Sequence, residues 1–269
     1  MNSPPLPSGW LRPQWPASAR VHALFATRTG GVSEGPWASF NLGDQVGDAP
    51  EHVRVNRARL AAALGTRPVF LRQMHGTRVV ELEPDSPDGI EADAAVTHAT
   101  GVACTVRAAD CLPVLLAHPQ ADVVAAAHAG WRGLSAGVLE QTFDSFLALA
   151  SKQQGEHATK IAVNNTLVWL GPAIGPRQFE VGAEVRAAFL AGDAGAAACF
   201  RALAGGKFLA DLPALARRRL ARMGITRVYG NDGTDDWCTV SNAARFHSYR
   251  RDHARFGGTG HMAACIWME

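Results

Sequence analysis

The chain has 269 residues, 47% of them hydrophobic and 19% charged, the balance of a folded globular protein rather than a disordered one. A formal net charge of +2, with arginines scattered except at 217–219 and 250–251, offers no basic face for nucleic acid and no acidic tail. Five cysteines (104, 111, 199, 238, 265) form no paired spacing, which speaks against a disulfide scaffold and for a reducing compartment.

Residues 1–19 are proline-rich and lack the apolar stretch of a signal peptide; they read as an irregular arm ahead of one domain over 20–269. No uninterrupted apolar run reaches the ~18 residues needed to span a bilayer. The expectation is a soluble, cytoplasmic monomer with no membrane or nucleic-acid partner. VHALFAT (21–27) reads as a strand, followed by a long Gly-rich loop that Trp37, Phe40 and Leu42 would anchor. A helix over 49–64 follows, with Asp48 as cap, Pro50 in its first turn and Glu51 completing a capping-box variant. Val53, Leu60 and Leu64 share one face and Gly65 stops it.

Residues 68–71 and 77–82 form strands around the Met74-His75-Gly76 turn, and 101–108, 113–118 and 122–128 are further short strands. A helix over 134–149 turns Leu139, Phe143 and Phe146 or Leu147 inward. TLVWLGPAIGP (166–176) is a strand entering a loop, feeding a helix over 179–190 with Val181, Val185 and Phe189 on one face. Asp211 caps a helix running to Met223, where Gly224 ends it; TRVYG (226–230) and MAACIW (262–267) are late strands. Strands and helices alternate without strict βαβ rhythm. That predicts an α/β class protein, a single-domain layered fold with mixed β-sheets flanked by helices.

Three side chains stand at turn-prone ends of these strands: His75 in RQMHG, Cys111 in AADCLP and His128 in AAAHAGWRG. Two imidazoles and a thiolate suit a borderline-soft divalent metal, and three protein ligands leave one position open, as in a catalytic zinc site. Copper is the competing metal. Gly130 and Gly133 let the backbone approach a ligand, a helix start follows, and Arg132 adds a fork-shaped cation suited to phosphate. Two other readings fit the same residues. One is a nucleophilic Cys–His dyad oriented by the second His or Asp110; the other is a closed structural zinc site completed by Cys238 or Cys104. Cys104, Cys199 and Cys265 otherwise read as buried thiols, and His22, His52, His98, His118 and His157 as ordinary imidazoles. The zinc-deaminase signature, the P-loop and the dinucleotide fingerprint are absent.

Several segments in order resemble the YfiH-like family, also called laccase-domain or multicopper polyphenol oxidoreductase proteins. They are TRTGGVS (27–33), SFNLGDQVGD (39–48), RQMHG (72–76), ADAAVT (92–97), AADCLPVLL (108–116), AAAHAGWRG (125–133), GPAIGPRQFEVG (171–182) and FHSYRRD (246–252). The resemblance implies a zinc site at His75, Cys111 and His128 in one catalytic domain. It also implies purine nucleoside chemistry: phosphorolysis of adenosine, inosine and methylthioadenosine, with adenosine deamination alongside. The chain departs from the family pattern at His247, where an aromatic is expected, at His261, where Arg or Lys is expected, and at Arg177-Gln178, where many members carry Cys. The alternatives are a cytosolic amidase editing a peptidoglycan precursor, a copper-dependent polyphenol oxidase, and a module that binds metal without turnover.

Phosphorolysis brings phosphate to the ribose anomeric carbon as the purine leaves, so the site must hold an anion and support the departing base. For that chemistry Arg28, Asn41, Arg132 and Arg250 are candidate phosphate or ribose contacts. Asp93 and Asp110 are candidate general acids or partners of a ligand histidine. Their bland alternatives are a surface ion pair for Arg250 and turn caps for the two aspartates.

Overall fold

Strands buried on both faces explain the apolar runs in the middle of the chain. In the computed structural model, which describes residues 7–118, 122–154, 163 and 165–269, a six-stranded sheet has the order β12-β8-β6-β7-β4-β3. Its members are β3 (Val79–Glu81), β4 (Ala94–Thr97), β6 (Leu112–Ala117), β7 (Val124–Ala129), β8 (Leu167–Leu170) and β12 (Arg227–Gly230). A four-stranded sheet has the order β1-β13-β5-β2, from β1 (Val21–Ala26), β2 (Arg67–Phe70), β5 (Val102–Ala108) and β13 (Met262–Met268). The β2/β5, β3/β4 and β8/β12 pairs are parallel and the other pairs of these two sheets antiparallel, so both sheets are mixed.

Side chains alternate across each strand, and β6 shows the consequence. Leu115 and Ala117 join Cys104, Val106, Ala126, Trp169, Ala264 and Ile266 in a core between the two sheets. Val114 and Leu116 face the other way, into a core shared with helices α3 (Val138–Gln154), α4 (Ala183–Gly192) and α5 (Leu212–Arg222). On the outer face of the four-stranded sheet, Leu60 and Leu64 of α1 (Pro50–Leu64) pack with Leu24, Phe70, Cys265 and the loop residues Phe40 and Leu42. The layers therefore run helix, sheet, sheet, helix. Trp131–Ala136 forms α2, Tyr249–Phe256 forms α6, and a three-stranded antiparallel sheet of β9 (Glu180–Val181), β10 (Phe200–Ala202) and β11 (Phe208–Ala210) lies beside α4. No helix among the described residues is long and apolar enough to cross a membrane.

Several sequence expectations are corrected. The helix expected over 134–149 is two helices, because Gly137 at φ 103° breaks it and α2 already begins at Trp131. The helix expected over 179–190 begins only at Ala183: Val181 belongs to β9, pairing with Phe208, and Gly182 is the N-cap. Asp48 does not cap α1. Its carboxylate accepts from Ser33 Oγ (2.6 Å) and Asn41 Nδ2 (2.9 Å), and Glu51 pairs with Arg54 instead. The Gly-rich loop is ordered through α1: buried Asn56 donates to the Asn41 and Ser39 carbonyls and accepts the Val32 amide. β4, the three-stranded sheet and α6 are not legible in the apolar periodicity. His157 lies outside the described residues.

His247 sits in this framework with no exposed surface, and neither ring nitrogen has a hydrogen-bond partner of normal geometry among the described residues. Burial, with Arg28, His261 and Arg251 nearby, pushes its pKa well below the usual histidine value. The folded state therefore holds it neutral while the unfolded chain takes a proton below about pH 6.5, so stability falls as pH drops through that value. The group contributes a loss of up to about 1.4 kcal/mol per pH unit. Calorimetric melting from pH 7 to 5 should show a shallower decline for His247→Leu than for the wild type; parallel curves would remove His247 from the account.

Candidate metal centre

Strand register builds the site. β6 and β7 pair with Leu112 opposite Ala129 and Pro113 opposite His128, which sets Cys111 beside Gly130 at one sheet end. β4 pairs with β7 so that Ala94 faces Ala127; Asp93 therefore stands across from His128, whose amide donates to the Asp93 carbonyl (2.7 Å). His75 arrives from the turn between β2 and β3 at φ 60°, a left-handed conformation uncommon for a non-glycine residue. The candidate donor atoms of His75, Cys111 and His128 lie within 4.8 Å of one another. His75 Nε2 is 3.9 Å from Cys111 Sγ, and the two imidazoles meet edge to face with centroids 4.8 Å apart. Donors bound to one zinc at about 2.0–2.3 Å must stand a little closer than this, so the residues fit one ion with small adjustment.

Asp93 organises the cluster. Its buried carboxylate accepts the Met74, His75 and Gly76 amides at 3.1, 2.9 and 2.7 Å and the His128 Nδ1–H at 2.9 Å. One side chain thus fixes the His75 turn and leaves His128 Nε2 available. Burial pulls the Asp93 pKa up, but His128 and the Gly76 and Met74 amides hold it below the usual range. An ionised acceptor that orients a ligand histidine suits partnership rather than proton donation.

The glycines of GWRG have separate steric reasons. A Cβ on Gly130 would lie 2.9 Å from Cys111 Sγ and 3.1 Å from His75 Cδ2. A Cβ on Gly133 would meet the Gly76 carbonyl at 2.6 Å, so α2 can press against the His75 turn only as it is. Burial raises the Cys111 pKa, but His128 and His75 outweigh it and bring the thiol to about 6. Burial lowers His128, while Cys111 and Asp93 push it up to about 9. The thiolate, the form a metal requires, is the favoured state at neutral pH. Among the described residues the donor group stops at three, with Cys104 in the inter-sheet core and Cys238 packed on Gly175. The closed structural site is thereby set aside. Glu81, Glu83 and His98 form another grouping on the open surface, where Glu81 also pairs with Lys152.

The cluster opens into a cavity of about 660 Å³. Arg132 borders it, its guanidinium 4.5 Å above the Trp131 ring. Arg250 also borders it and donates to the Gln178 and Glu180 carbonyls at 3.3 and 3.1 Å. Asp110, at φ 88°, borders it too; its carboxylate accepts Thr239 Oγ1 (2.5 Å) and the Arg250 amide (2.6 Å), tying the Cys111 turn to α6. Burial pushes its pKa up, only partly offset by the Arg250 amide, Thr239 and Ser248.

Arg28 and Asn41 are placed elsewhere, outside the cavity lining. The Arg28 guanidinium clamps the Ala38 and Ala243 carbonyls, and buried Asn41 bonds Gly43, Asp48 and the His261 amide. Both hold the Gly-rich loop rather than face the cavity. Sequence reasoning missed Arg107 and the stacked Tyr249–His253 pair (4.4 Å) in the lining, and noted His261, which also lines it, only as a departure from the family pattern. The available signals were a lone charge near the end of the apolar β5 run and an i, i+4 aromatic–imidazole pair that starts at the Tyr of SYRR.

A family model described as "Multi-copper polyphenol oxidoreductase laccase" matches residues 22–269. A purine nucleoside phosphorylase of Pseudomonas aeruginosa is 48% identical over 263 residues, covering 97% of this chain and 99% of its own. The purine nucleoside phosphorylase YfiH of Escherichia coli K12 is 48% identical over 258 residues, covering 95% and 97%. Among solved structures, a Neisseria meningitidis protein of the family model DUF152 superposes with a TM-score of 0.87 at 44% identity, covering 97% and 100%. YlmD from Geobacillus stearothermophilus superposes with a TM-score of 0.83 at 29% identity, covering 99% and 98%.

Two substitutions test the architecture of the donor group. Asp93→Asn should weaken zinc binding roughly 10–100-fold, read by competition with a chromophoric chelator; unchanged affinity in a folded variant would end its assigned part. Gly130 has φ −63° and ψ 157°, which alanine adopts freely, so Gly130→Ala acts by steric intrusion alone. Its metal affinity should drop sharply with little change in Tm.

Proposed function

The chain belongs to the multi-copper polyphenol oxidoreductase laccase family, and on that premise we propose that it is a zinc-dependent purine nucleoside phosphorylase. Its substrates are adenosine, inosine and methylthioadenosine with phosphate, and adenosine deamination proceeds in the same cavity. The relatives' names support the reaction class. The observation that carries the reading is the opening of the His75–Cys111–His128 group into a cavity bordered by Arg107, Arg132 and Arg250, where the one lining carboxylate, among the described residues, is Asp110 with its acceptors engaged. Such a wall favours an anion beside a neutral nucleoside.

His75, Cys111 and His128 would hold the ion, and zinc bound there supplies Lewis-acid polarisation and acidifies water. In phosphorolysis a phosphate oxygen forms the bond to the ribose anomeric carbon as the bond to the purine nitrogen breaks, and the departing base takes a proton. Asp110 borders the cavity with its carboxylate committed to Thr239 and the Arg250 amide, so it positions the Cys111 turn, and the proton taken by the base comes from the attacking phosphate. Arg132 and Arg250 orient the nucleoside and exclude solvent at the rim. In deamination water replaces the exocyclic amine, which leaves as ammonia. A copper oxidase would draw on additional histidine clusters; among the described residues the cavity carries one donor group.

Protein purified without added metal should contain about one zinc per chain and convert adenosine and phosphate to adenine and ribose 1-phosphate, followed by chromatography. Cys111→Ala should lose both metal and turnover. Full activity in a metal-free Cys111→Ala protein would overturn the proposal, as would bound copper with oxygen uptake and no nucleoside cleavage.

A further inference from the structure

The end of β5 and the entry to β13 bring to the cavity a charge that the roles above leave unused. Arg107 borders the cavity with its side chain one-tenth exposed. Its Nη1 pairs with Asp44 and its Nη2 donates to the Leu71 carbonyl (2.9 Å). Asp44 also takes Arg57 at 3.1 Å, so two guanidiniums share one carboxylate and the trio keeps a surplus positive charge. Arg107 Nε is buried with no hydrogen-bond partner among the described residues. Native structures rarely leave such a donor unmet unless water or a ligand takes it.

His261 borders the same cavity. It precedes Met262, which pairs with Ala108, so it stands next to the end of the strand that carries Arg107. Its amide is held by Asn41 Oδ1 (2.9 Å), and Gly43 leaves room for its ring, since a Cβ there would lie 2.7 Å from Nδ1. Burial, then Arg107 and His128, pushes its pKa down to about 3. The ring therefore lies close enough to feel both Arg107 and the metal donors. The other lining arginines are less suited to an enclosed anion. Arg132 is exposed on Trp131, and the Arg250 fork holds the Gln178 and Glu180 carbonyls.

We propose that Arg107 Nε and the His261 ring form the subsite for inorganic phosphate, beside the His75–Cys111–His128 group. This deepens the phosphorylase reading and rests on it. A phosphate there exchanges its water for a charge-assisted donor already positioned by Asp44 and Leu71, and it meets no free carboxylate among the described lining residues.

The test is calorimetric titration of inorganic phosphate, and separately of adenosine 5′-monophosphate, into zinc-loaded wild-type, Arg107→Lys and His261→Gln proteins. Lysine keeps the charge beside Asp44 and removes the Nε donor. The phosphate Kd should rise about tenfold or more in Arg107→Lys, as expected for one lost charge-assisted hydrogen bond, with zinc content unchanged. His261→Gln should weaken phosphate in the same direction and carries the test should Arg107→Lys fail to fold. Phosphate affinity within about twofold of wild type in the folded variants would overturn the subsite. So would a wild-type protein that binds the nucleotide but not inorganic phosphate. Arg107-dependent phosphate binding without cleavage of any nucleoside would leave the subsite standing and remove the phosphorylase reading instead.

Discussion

A single carboxylate ties together the parts of this molecule that chemistry requires. Asp93 is set across from His128 by the antiparallel register of β4 on β7, and its oxygens gather three consecutive amides of the His75 turn together with the His128 imidazole. Successive amides curled toward one anion form a nest, and here the nest is filled from within the protein. The left-handed φ of His75 is supported by those bonds rather than by local preference. Both imidazoles therefore reach Cys111 already oriented, which lowers the reorganisation a metal would otherwise demand.

That arrangement depends on close packing around it. Four of the six residues of β7 are alanine, so the inter-sheet core on one side and the α3 core on the other both approach its backbone. At its end, Gly130 and Gly133 continue the same economy of volume. The first leaves the donor atoms unobstructed, and the second lets α2 lean on the Gly76 carbonyl. A larger residue at Gly130 would push on the Cys111 sulfur and the His75 ring, and one at Gly133 on the backbone of the His75 turn.

Charge is distributed unevenly around the cavity. Asp44 stands between Arg57 and Arg107 without cancelling them, while Asp110 is turned toward Thr239 and the start of α6. The two aspartates also fix wall elements remote in sequence: one steadies the end of β5, the other joins the Cys111 turn to the helix bearing Tyr249, Arg250 and His253. Cations with restricted freedom lining a sheltered volume are the physical basis on which the proposed binding of phosphate beside a nucleoside rests.

Much of this was legible in the residues. Apolar alternation and small-residue runs located most strands, Asp211 and Gly65 marked helix ends, and turn placement singled out His75, Cys111 and His128, whose donors the structure places within 4.8 Å of one another. Expectations diverged where a local signal had a distant competitor. Asp48 resembled a helix cap but bonds Ser33 and Asn41; Val181 fitted a helix face but pairs with Phe208. Arg28 and Asn41 looked like ligand contacts because polar residues in a Gly-rich loop often are, yet backbone carbonyls and Asp48 occupy them. The sequence by itself determined that most of the central strands are buried, without revealing the buried β4, and which residue types could hold a metal, because burial and donor chemistry are properties of side chains and their spacing. Only the tertiary structure decided that Asp93 orders two of the three donors and that Arg107 and His261 share the cavity wall. Those facts follow from strand register and sheet order, which join residues far apart in the chain and leave no local mark.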